Sequence, residues 1–149
     1  MSQSHTTVTA VMTPHQATGT RPPALLFASQ PAAGFPAPAD DLVESALDIH
    51  DLVVKNPAST FFVRVRGDSM EGAGIFSGDV LVIDRAVEAA PGKIVVAAVY
   101  GELVVKRLAR QGGQLVLQSE QVGYEPIVVN EAEDVFVWGV VVGSVRMFA

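Results

Sequence analysis

From residue 59 onward the chain is written in short apolar runs, mostly valine-rich, separated by turn residues at intervals of about 8–12 residues. Few folds tolerate that pattern. The runs are Ser59–Arg66, Asp79–Asp84, Lys93–Tyr100, Glu102–Ala109, Gln114–Ser119, Pro126–Val129 and Asp134–Phe148. Branching at Cβ restricts valine's rotamers in a helix and suits it to a pleated surface. Tyr100-Gly101 and Gly112-Gly113 mark tight corners between successive runs. With little helical spacing among them, these segments predict a compact, mainly β domain.

The N-terminal third reads differently. Residues 1–33 hold no Asp or Glu and a single Arg, and "TPHQATGTRPP" carries too little apolar surface to order itself alone. Within it, Leu25–Phe27 is an apolar cluster able to dock. Residues 28–39, "ASQPAAGFPAPA", have the composition of an extended linker. In "DDLVESALDIHDLVVKNP", positions 42, 46, 49 and 53 form a stripe at helical spacing, with Asp40 or Asp41 as cap and Pro57 as stop. A break near Leu47–Asp48 into two short pieces fits equally well. The expected architecture is therefore a flexible arm, one or two short helices, and a β-rich domain.

Composition narrows the chemistry. The 149 residues are 49% hydrophobic, enough for a core, and the formal net charge of -6 disfavours a surface that grips nucleic-acid phosphates. No cysteine is present, which removes disulfides and thiol nucleophiles. There are three histidines, His5, His15 and His50, two of them in the arm, so a Ser-His-Asp triad or a His-rich metal site is not expected. We expect neither metal nor cofactor. No secretory signal is recognisable, and the longest apolar runs fall well short of the ~18 residues a membrane span requires. The expected location is the cytoplasm.

One stretch invites a chemical reading. "RVRGDSMEGAG", residues 64–74, lies between two strand-like runs. A plain turn accounts for it, and so does a serine held out as a nucleophile. Ser69 would need a base, and with histidine scarce the substitute is a neutral lysine. An ordinary lysine titrates near ~10.4, leaving about one molecule in a few thousand neutral at pH 7, so the base must be desolvated. The lysines are Lys55, Lys93 and Lys106. Lys106 lies mid-run in "LVVKRL", and period-2 alternation puts it on one face with Val104 and Leu108. It is either dried by that face or snorkels from it to water. Gly67 permits a sharp turn that would aim the amides of Ser69 and Met70 in one direction, as an oxyanion hole needs. Ala33-Gly34 in the linker would be a tethered substrate, whose small residues admit a nucleophile.

Taken together, "AGFPAPADDLVE" (33–44), "GDSM" (67–70), "SGDVLVID" (77–84), "IVVAAVYGELVVKRL" (94–108) and "DVFVWGVVV" (134–142) resemble, in order, the self-cleaving Ser-Lys proteins of the LexA/UmuD peptidase family, its UmuD branch above all. The resemblance implies a LexA-like β-rich peptidase domain over 46–149, a linker over 34–45, and an arm over 1–33 removed by self-cleavage. It implies Ser69 as nucleophile, Lys106 as general base, the Ser69 and Met70 amides as oxyanion hole, and Ala33-Gly34 as the scissile bond. By the same resemblance, a RecA filament on single-stranded DNA stimulates the cut. The shortened homodimer then serves a UmuC-type Y-family polymerase, as in the error-prone translesion enzyme DNA polymerase V, within the SOS response to DNA damage. No sequence-specific DNA binding and no membrane partner are implied. The 33 residues before the cut, longer than the family's usual arm, match nothing in it.

Three other readings compete. A LexA-like transcriptional repressor would need a recognition helix before the cut, and no amphipathic helix is written there. A signal-peptidase relative would need a membrane anchor. A non-catalytic β-rich binding module would keep the fold and lose the activity.

Overall fold

A computed structural model describes residues 5–14, 24–27 and 43–148. They fall into two units, one of residues 5–14 and 56–148, the other within 15–55.

The larger unit is mainly β. Its first strand, β1 (Thr7–Met12), comes from the N-terminal arm. In the smaller unit β2 (Ala24–Phe27) pairs antiparallel with β3 (Val43–Leu47), and a short helix α1 (Ile49–Val53) follows. The larger unit continues with β4 (Thr60–Arg66), β5 (Val80–Asp84), β6 (Ile94–Val99), β7 (Glu102–Gln111), β8 (Gln114–Gln118), β9 (Ile127–Val128) and β10 (Val135–Val145). Every valine-rich run expected to be a strand is one, within a few residues at its ends.

These strands form one antiparallel sheet in the order β1-β4-β5-β10-β6-β7-β8-β9, and β1 also pairs with β7. That extra pairing, Thr7 opposite Val104, closes six strands into a barrel. Closure removes free edges from the ring. The β6–β7 and β7–β8 connections are two-residue corners, with positive φ at Tyr100 and Gly101 and at Gly112 and Gly113.

Alternation sets what each face buries. Val63 and Val65 of β4, Leu81 and Ile83 of β5, Val96 of β6 and Val105 of β7 form one cluster, joined by Met70 and Ile75. Val95, Ala97, Val104, Leu108, Leu117, Val135 and Val140 form a second. Strands β6 and β7 therefore supply both clusters, one from each face. Continuous apolar runs are what a sheet buried on both sides requires.

Two expectations change. The stripe beginning at Leu42 divides at Asp48, as the two-piece reading expected, but its first piece is strand β3 and not a helix. Asp48 caps the remaining helix, accepting from the amides of His50 and Asp51. Strand pairing with β2 outweighed local helical spacing, and the Leu25–Phe27 cluster supplies that partner. The arm, unable to order alone, is ordered over 7–12 by β4: Thr7 pairs with Arg66, Val8 with Val65 and Met12 with Phe62. No helix among the described residues is long and apolar enough to cross a membrane.

Candidate active site

Strand β4 ends at Arg66 and the chain turns at Gly67. Gly67 has φ +112°, and a Cβ there would stand 2.2 Å from the carbonyl oxygen of His5, so both conformation and close approach demand glycine. Asp68, Ser69 and Met70 follow, then a 3-10 turn over Glu71–Ala73. The loop is anchored on both sides. Met70 is fully buried in the barrel cluster. The Ser69 carbonyl accepts from the Glu120 amide (2.8 Å), and the Gly72 amide donates back to the Glu120 carbonyl (2.9 Å). The Tyr124 hydroxyl donates to Asp68 Oδ1 at 2.8 Å. Asp68, given no chemical role from the sequence, thus acts as an anchor for the segment after β8.

Lys106 lies in the middle of β7, between buried Val104 and Leu108 as alternation predicted. Its residue exposure is 1%, so it does not snorkel to water. Its Nζ donates to Ser119 Oγ at 2.5 Å and lies 2.8 Å from His5 Nδ1. The Tyr124 ring sits beneath the amine, 5.2 Å from Nζ to the centroid. Burial pushes the Lys106 pKa down to about 8. Burial, then the charge of Lys106, holds His5 below its usual range, leaving a neutral imidazole to accept.

Two consecutive pairs of residues tie Ser69 and Lys106 into one site. Ser119 holds Lys106 while Glu120 holds the backbone of Ser69. On the other side His5 meets Lys106, while the Thr6 amide donates to Ser69 Oγ at 2.8 Å. Ser69 Oγ also donates to Thr6 Oγ1 at 3.1 Å. Ser69 and Thr6 are both fully buried. The two expected partners share neighbours; Ser69 Oγ bonds to Thr6 of the N-terminal segment, and Lys106 Nζ bonds both to His5 of that segment and to Ser119. The amides of Ser69 and Met70 have no acceptor among the described residues. Ala33 and Gly34 lie outside the described residues. No cluster of metal-ligating side chains occurs among the described residues.

Five contributors escaped the sequence reading: His5, Thr6, Ser119, Glu120 and Tyr124. The first two lie in an arm judged by composition. Its "HTTVTAV" nevertheless carries the β-branched residues of a strand, and that was the available signal. Ser119 and Tyr124 lie far from Ser69 along the chain and had no local mark.

Comparison with known proteins gives the family. The peptidase S24-like family model matches residues 25–142. Protein ImpA of Salmonella typhimurium is 49% identical over 83 residues, 56% of this chain and 57% of that protein. Protein MucA of Escherichia coli is 39% identical over 113 residues, 76% of this chain and 77% of that protein. The LexA repressor of Shewanella sediminis (strain HAW-EB3) is 40% identical over 118 residues, 78% of this chain and 57% of that protein. The match therefore spans little more than half the length of ImpA and of that LexA repressor. The chain belongs to the peptidase S24-like family, as a UmuD-like member.

Proposed function

We propose that this chain is a serine peptidase whose substrate is its own Ala33-Gly34 bond. The single observation that carries the reading is a buried serine loop and a buried lysine, its pKa lowered to about 8, held by the same two neighbouring segments, His5-Thr6 and Ser119-Glu120. At pH 7 about one such lysine in ten is neutral, against one in a few thousand for an ordinary lysine. In the reaction Lys106 Nζ takes the Ser69 proton as Oγ attacks the Ala33 carbonyl carbon. The oxyanion forms against the amides of Ser69 and Met70. Lys106 returns its proton to the Gly34 nitrogen as the C–N bond breaks, leaving Ala33 as an ester on Ser69. A water molecule, deprotonated by Lys106, then hydrolyses that ester and frees residues 1–33. Ser119 fixes the lysine amine and is a positioning residue.

The wider role follows the UmuD-like family reading. The cut is stimulated by a RecA filament on single-stranded DNA, and the shortened homodimer assists a Y-family polymerase in SOS mutagenesis, in the cytoplasm. The LexA repressor relative keeps a second reading alive, in which the intact chain binds an operator; the net charge of -6 weighs against it.

The deciding experiment holds the purified chain at pH ~10, where alkali deprotonates the lysine without a partner. Mass spectrometry should find fragments 1–33 and 34–149, absent in Ser69→Ala and Lys106→Ala. An intact wild-type chain, both in alkali and with activated recombinase filaments, would leave the binding-module reading standing. Operator binding by the intact chain would support the repressor.

A further inference from the structure

The occupant of the site is itself informative. Strand β1 fills the slot between the facing edges of β4 and β7, whose backbone groups would otherwise be open to an added strand. We propose that residues 5–12 are a tethered competitor that holds this slot closed, so that the Ala33-Gly34 segment enters only after β1 leaves. The proposal rests on the peptidase reading and adds a restraint to it.

Three observations carry it. First, the occupant engages both reactive side chains. Thr6 takes the Ser69 hydroxyl through its amide and its own hydroxyl, and His5 takes the Lys106 amine. Thr6 is further fixed by its carbonyl, which accepts from the Val105 amide at 2.8 Å, and His5 packs edge-on against Tyr124 with centroids 4.7 Å apart. Second, the fit is not that of a substrate about to be cut. Cleavage before Thr6 would need the His5 carbonyl oxygen in the amides of Ser69 and Met70. That oxygen instead packs against Gly67, and among the described residues neither amide donates to it. Strand β1 thus occupies the reacting centre without presenting its carbonyl for attack. Third, the family match begins at residue 25, so β1 lies wholly before it. The slot therefore carries an occupant that the matched domain does not include.

Thr6→Pro tests the idea in the full chain, because proline removes the N–H that Ser69 Oγ accepts. Two readouts are taken. Hydrogen exchange of a peptide spanning 103–107 reports whether Thr6 still covers the Val105 amide, and product mass after Ala33 in alkali reports the cut. We expect exchange at Val105 to rise about tenfold and cleavage to accelerate about tenfold, with a change of 1.4 kcal/mol in docking accounting for each factor. Unchanged exchange, or faster exchange with unchanged or slower cleavage, overturns the proposal. If neither chain cuts under any condition, the peptidase reading fails separately. Competition is then judged with a synthetic peptide of residues 28–39. It should protect Val105 in Thr6→Pro and not in wild type, and equal protection in both, or in neither, overturns the competitor role.

Discussion

Asp79 and Lys106 are both buried and ionisable, and the molecule treats them in opposite ways. Asp79 receives Arg146 in a two-toothed grip, Nε to Oδ1 and Nη2 to Oδ2 at 2.7 Å each, and the Phe76 amide at 2.9 Å. The Arg146 hydrogen bonds hold its carboxyl below the usual range, so it stays charged. Lys106 has no carboxylate within ion-pair reach among the described residues, only a hydroxyl, a neutral imidazole and an aromatic face. Nothing there offsets its desolvation, so the amine gives up its proton easily. Equal burial yields a structural clamp in one place and a poised base in the other, and the presence or absence of a counter-charge makes the difference.

That contrast can be broken experimentally, the chemistry giving the largest effects. Ser69→Ala and Lys106→Ala should each give no detectable alkaline cleavage product by mass spectrometry, a fall in rate of at least about 10²-fold. The wild-type cleavage rate should rise about tenfold per pH unit and level off above about 8; a rise continuing unbroken to pH 10 would mean that Lys106 is not dried by its site. Stability should separate the two groups by sign. Asp79→Asn should cost about 2 kcal/mol in denaturant unfolding at pH 7, while cleavage per folded molecule stays unchanged. Because the Asp79 pKa is lowered on folding, its contribution is present above 3.8 and fades as pH falls through the native value. Lys106→Met should instead stabilise by about 1 kcal/mol at pH 7. With its pKa lowered on folding, Lys106 penalises the native state below about 8, and that penalty disappears as pH rises toward 10.5, so the gain should shrink across that window. Smallest of all, Tyr124→Phe, which loses the hydroxyl bond to Asp68, should slow cleavage about threefold, close to 0.6 kcal/mol.

The strands were legible because their cause is local. Valine-rich runs bounded by Gly-Gly and Tyr-Gly corners leave little choice but short antiparallel pairs, and even the face of Lys106 follows from counting by two from Val104 and Leu108. Strand β3 was misread because "LVESALDI" satisfies helical spacing over two turns, and only the presence of Ala24–Phe27 as a partner decided against it. Strand β1 was misread for a related reason. Composition asks whether a segment can order itself, and the segment 7–12 is ordered by hydrogen bonds supplied by β4 and β7.

The stretch "RVRGDSMEGAG" shows where the division falls. Residue types and spacing alone determined a tight turn at Gly67, a serine just beyond it, and a lysine on a buried strand face. Whether that lysine was dry, which side chains held it, and what lay against the serine were decided by tertiary contacts, some between residues far apart in the chain, such as Thr6 with Ser69 and His5 with Lys106, and others across neighbouring segments, such as Ser119 with Lys106. A strand's periodicity is a property of neighbouring residues and can be read along the chain. Desolvation is a property of everything that packs around an atom, and it exists only once the barrel has closed.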